Sequence, residues 1–171
     1  MAESAPGSAG PDASALDAGL RESLEGIFTT MLAREVSPPD ASAGDRAAAA
    51  ARWFVARIEL HGDRDGVVSL RCDPGAARAL AIALLMMDEA DTLADEEVLD
   101  AVGECANMLA GGLKTRVFDP LGYWIIGTPA CAVEAALPDS KAHHAVDCGL
   151  GGGLLTVDLS WAAETRTAAV H

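Results

Sequence analysis

The chain has 171 residues, half of them hydrophobic, and a formal net charge of −14. That length fits one domain with tails, or at most two small ones, and leaves enough apolar material to bury a core. The charge argues against direct contact with nucleic acid or an anionic membrane, both of which call for a basic surface, and suits a chain that meets a basic patch on a partner.

Residues 1–14 are rich in Ala, Ser, Gly and Pro and read as a disordered tail. The start lacks a basic stretch followed by an apolar one, so it does not read as a signal peptide. From Leu16, apolar residues recur at spacings of three and four through Leu20, Leu24, Ile27, Phe28 and Met31. This predicts an amphipathic helix ending near Arg34 or Glu35. The segment from Val36 to Asp45 reads as a linker, because Pro38 and Pro39 stop regular structure. A hairpin follows: Phe54, Ala56, Ile58 and Leu60 alternate with polar or outward residues, and a turn from Gly62 to Gly66 leads into Val67–Cys72. A second helix begins at Pro74.

A third helix is predicted from about Asp95 to Lys114, with Thr92 or Asp91 as its cap. The run from Gly122 to Ala135 reads as β structure, bent near Pro129. A last hairpin spans His143 to Trp161 around Gly149 and Gly151–Gly153, with Leu155, Val157 and Leu159 as its apolar face. The end of the chain, 164–171, reads as a frayed tail, leaving one domain over 15–163. The fold class is therefore α+β: an antiparallel-rich sheet packed by amphipathic helices.

Four cysteines, Cys72, Cys105, Cys131 and Cys148, form no C-x-x-C pair and read as buried free thiols in a reducing compartment. No apolar run is long enough to cross a bilayer. Cytoplasmic residence is expected. His143 and His144 are adjacent on a predicted strand, so they point to opposite faces and are not expected to bind metal. The glycines at 149 and 151–153 open a strand and lack the lysine of a phosphate-binding loop, so they read as a turn.

The third helix carries the one distinctive pattern. Projected at about 100° per residue, Val98, Val102, Cys105, Leu109 and Leu113 form an apolar stripe with Ala106 beside it. Asp100, Glu104, Asn107, Gly111 and Lys114 fall opposite. Asn107 is the sole asparagine of a chain without glutamine. A base-composition bias accounts for the missing amides equally well, since Ala, Gly, Asp and Arg dominate. Glycine in a helix interior is about 1 kcal/mol worse than alanine, yet Gly103, Gly111 and Gly112 surround the strip. They either leave backbone open to a partner or end the helix early.

Asp100, three spacers, Glu104, two spacers, Asn107 and then Gly111 resemble the signature of the CheC/CheX/FliY family of response-regulator phosphatases. The leading helix, the early hairpin and the stretch from Ile126 to Ala135 are similar to that family in order. A single asparagine allows a single signature, which is the CheX-like arrangement.

The resemblance implies a phosphatase acting on the aspartyl phosphate of a receiver domain (CheY-like). Asn107 would orient the attacking water, and Glu104 would pair with the regulator's active-site lysine. Asp100, Gly103 and Gly111 would face the partner. No cofactor of its own is implied, because the regulator supplies Mg²⁺. A homodimer joined at sheet edges is also implied, with the late hairpin as candidate edge. The alternative is a catalytically silent adaptor or dimerisation module that binds a regulator or a flagellar-switch component.

Overall fold

The computed structural model describes residues 13–62, 65–121, 124–135 and 144–161. His143 and the tail expected over 164–171 lie outside them, as does most of the tail expected over 1–14. The first helix, α1, already begins at Ala13 and runs to Glu25. It then loosens into a π-helical turn, Gly26–Met31, and stops when Ala33 turns left-handed (φ 48°). The single helix expected to Arg34 is thus two windings, and the change falls where Gly26 and the β-branched Ile27, Thr29 and Thr30 lower helix propensity.

The expected linker contains a short helix, α2 (Ala43–Ala49). Asp40 organises its start, accepting from the Ser42 amide at 2.9 Å and pairing with Arg46. That arginine holds the Asp40 carboxyl down at about 2. Here the helix-forming alanines of 47–50 outweigh the turn chemistry before them.

Among the described residues six antiparallel strands follow: β1 (Trp53–His61), β2 (Gly66–Cys72), β3 (Ile125–Ile126), β4 (Ala130–Glu134), β5 (His144–Leu150) and β6 (Gly153–Trp161). Helices α3 (Pro74–Leu85) and α4 (Asp95–Leu113) lie between β2 and β3 in the chain. The sheet order is β3-β1-β2-β6-β5, with β4 also on β1. Leu60 pairs with Ile126 while Arg57 pairs with Ala130. Three residues, Gly127–Pro129, therefore face two on β1, which is a bulge and the physical form of the bend expected near Pro129.

One sheet face carries the main core, built from Phe54, Ala56, Ile58 and Leu60 of β1 and Leu155, Val157 and Leu159 of β6 against α1, α3 and α4. The other face holds a smaller cluster, with Ala43 of α2 over Trp53, Val55 and Leu154. Beside it Arg71 and Asp158 form an ion pair at 2.7 Å, each about 7% exposed at the side chain. Asp73 caps α3 through the Ala76 amide and also accepts from the Leu154 amide, both at 2.8 Å, tying helix to sheet.

Of the late hairpin only β5 is an edge, since β6 lies between β2 and β5. The Ser37 backbone exchanges two hydrogen bonds with Gly149, guarding one end of β5.

Candidate functional site

Helix α4 is laid down by its apolar stripe. Val98, Val102, Cys105, Ala106, Leu109 and Leu113 are all buried against β1, β2, α1 and α3, as the projection predicts. The cap differs from expectation. Neither Thr92 nor Asp91 serves: Ala94 is the N-cap, and because alanine has no oxygen to offer, Glu97 reaches back to accept from the Ala94 amide at 2.8 Å. Asp91 instead closes the preceding loop by accepting from the Asp88 amide at 2.9 Å. Asp95, Glu96 and Glu97 occupy the first turn, where the helix dipole favours anions. Arg52, which the sequence pattern does not single out, pairs with Asp95 at 2.5 Å.

Opposite the buried stripe, Asp100, Glu104 and Asn107 are all exposed and Gly111 is partly so. Glu104 and Asn107 are i, i+3 neighbours, which puts their Cβ atoms about 5–6 Å apart on one face. Among the described residues neither side chain has a hydrogen-bond or ion-pair partner within the chain.

The glycines do not end the helix, which continues through Gly111 and Gly112 to Leu113 and then winds as a π turn, Lys114–Phe118. They divide by what surrounds them. A Cβ on Gly111 would meet nothing within 4 Å. Gly103 is buried, and a Cβ there would stand 2.7 Å from Cys131 Sγ on β4. On Gly112 a Cβ would stand 3.1 Å from Ser23 Oγ of α1. Lys114, placed on the strip by projection, is engaged by Asp119 at 2.5 Å.

Three of the cysteines are buried, but Cys131 is exposed, correcting the expectation of four buried thiols. It sits on an edge strand, where one side of the residue has no neighbouring strand to cover it. Burial pushes the Cys105 thiol up to about 12, and burial, then the nearby Asp100 carboxylate, raise Cys131. None of these is an activated nucleophile.

Among the described residues no group of three or more His, Cys, Asp or Glu is placed to hold a metal ion. His144 sits against Asp17 at 3.3 Å. Cavities of about 310, 270 and 340 Å³ exist, and no residue of α4 lines them. The strip is a convex helix face, which suits a macromolecular partner better than a small molecule.

The described strands form an open antiparallel sheet backed by helices, and one exposed helix face carries Asp100, Glu104, Asn107 and Gly111 in line. The family of the chemotaxis phosphatase CheX matches residues 54–143, and the chain belongs to that family. CheX from Vibrio vulnificus superposes with a TM-score of 0.66 at 21% identity, covering 86% of this chain and 96% of that one. The CheX of Borrelia burgdorferi, solved as a CheX-CheY-BeF3-Mg+2 complex, gives 0.60 at 18% identity, covering 85% and 97%. FliY of Thermotoga maritima gives 0.60 at 16%, covering 85% and 86%. No curated protein sequence matches the chain.

Proposed function

We propose that this chain docks on a phosphorylated, CheY-like receiver domain and hydrolyses its aspartyl phosphate, with Glu104 and Asn107 as the residues that carry the reaction. The observation that carries the reading is the free, exposed pair on α4, one turn from a glycine with open space above it. Family membership and the CheY in the Borrelia burgdorferi complex support the choice of partner.

The chemistry asks little of the chain. Phosphoryl transfer leaves a protein mainly positioning and electrostatic work. A carboxamide suits the placing of a water, because it both donates and accepts without ionising. Asn107 holds the water in line with the scissile P–O bond. Glu104 pairs with the regulator's lysine and fixes the register of docking. Asp100 extends the acidic contact, and Gly111 lets the receiver approach the helix backbone. Gly103 contributes from beneath, by its fit to β4. The Mg²⁺ belongs to the phosphorylated regulator, which is the substrate.

Eight acidic residues and no basic one lie between Asp88 and Glu104, a surface that attracts a basic docking face and speeds encounter. We further propose a homodimer through the open part of the β5 edge, and residence in the cytoplasm with the receiver. The test is to mix the purified protein with phosphorylated receiver domains from its own genome and follow phosphate release. Faster loss from one of them is expected. Binding without faster loss would leave the adaptor reading in its place.

A further inference from the structure

Two of the three glycines in α4 are accounted for by close packing inside the chain, and they stand on opposite flanks of the exposed strip. On one flank, a Cβ at Gly103 would lie 2.7 Å from Cys131 Sγ and 3.8 Å from Pro129 Cβ, at the bulge that leads into β4. On the other, a Cβ at Gly112 would lie 3.1 Å from Ser23 Oγ and 3.3 Å from Ser23 Cβ, with an Arg116 guanidinium nitrogen at 3.2 Å. Ser23 is 1% exposed, so α1 has no slack there. The helix is therefore seated between β4 and α1 at two points that tolerate no methyl group unless a neighbour moves. Glu104 and Asn107 lie between those points in the chain.

We propose that Gly103 and Gly112 are positioning residues, which set how deeply α4 sits between β4 and α1 and hence where Glu104 and Asn107 project. Each glycine weakens the helix relative to alanine. What it secures is a closer seat for the helix. Close packing transmits a displacement, because interiors hold few voids to absorb it. A shift of a few tenths of an ångström at Gly103 therefore reaches the side chain one turn on. The inference bears on the phosphatase reading, in which water placement by Asn107 is the sensitive step.

The composition of the chain supplies a direct probe. Asn107 is the sole asparagine and there is no glutamine. The ¹⁵N–¹H spectrum of the free protein therefore holds one side-chain carboxamide pair, and that pair reports the Asn107 environment without a partner. Gly103→Ala is expected to move this pair and to lower kcat on a phosphorylated receiver roughly 10-fold with KM little changed. Adding Cys131→Ala removes the sulfur the new methyl meets, so the double variant is expected to return both readings most of the way. Because the methyl introduced at position 103 is still present in the double variant, a return separates seating from a local chemical-shift effect.

Should Gly103→Ala fail to fold, Cys131→Val crowds the same contact from the strand and is expected to move the pair likewise. A folded Gly103→Ala protein with an unmoved carboxamide pair, or a displaced pair that Cys131→Ala does not restore, would overturn the proposal. The free-protein spectrum stands apart from the assay of the unaltered chain. A protein whose pair moves and returns but that releases phosphate from no receiver refutes the phosphatase reading and leaves the seating role intact.

Discussion

Asn107 and Glu104 differ in what they are asked to do, and their variants should separate accordingly. Asn107→Ala removes the group proposed to act on the water, so kcat should fall on the order of 10²-fold with regulator affinity nearly kept. Glu104→Lys sets a cation against the partner's lysine, so complex formation should weaken sharply, read by titration calorimetry. Both side chains are exposed and without partners among the described residues, so neither change should alter the melt. Gly111 is the informative third case. Apart from the helix itself, nothing among the described residues lies within 4 Å of the space a Cβ would take, so Gly111→Ala should stabilise the fold by roughly 0.5–1 kcal/mol. It should also weaken docking. A protein both more stable and less able to bind would mark a glycine kept for the partner; equal binding would remove Gly111 from the interface.

Among the elements, α4 was the most legible, because nineteen residues with one apolar stripe leave little room for another reading. Its exposed face followed from the same projection. The seating of Gly103 did not, since Cys131 is distant in sequence and meets it only through the pairing of β4 on β1. The cap is hidden from the local pattern for a related reason: Thr92 and Asp91 have the right chemistry but stand too early, and Glu97 performs the task from inside the helix. Helix α2 was missed because two prolines dominate the local signal while its stabilising contact, Ala43 against the sheet, is non-local. The late hairpin was read correctly as a hairpin, yet its strands differ in standing, as alternation cannot tell an edge from an interior strand. Asp73 offers a test of how the elements are joined. It is buried and accepts from two backbone amides, one in α3 and one in β6. Asp73→Ala should cost about 2–4 kcal/mol, more than an ordinary cap, because a second amide is left buried without a partner. Urea unfolding would measure it, and a loss under about 1 kcal/mol would contradict the tie.

On the scale of the whole molecule, the charge of −14 and the acidic run before the strip would make the proposed association with a receiver electrostatic in character. The association rate should therefore fall several-fold between low and physiological salt, with dissociation less affected. A rate indifferent to salt would contradict a docking face chosen by charge. The proposed homodimer is a matter of the sheet edges. Ser37 occupies the Gly149 end of β5, and among the described residues no strand pairs with the outer side of its His144 end, where the second copy is proposed to add. Light scattering at micromolar concentration should return twice the mass of the chain, and a monomer mass would refute the pairing.

On the proposed function, the exposed pair on α4 directs hydrolysis of a receiver's aspartyl phosphate. The most direct measurement is single-turnover decay of a ³²P-labelled receiver, compared with saturating unaltered protein and with saturating Asn107→Ala. At saturation, differences in binding drop out and the chemical step alone is read. Decay should be fast with the unaltered chain and about 10²-fold slower with the variant, approaching that of the receiver alone. Equal decay with the two proteins would contradict it.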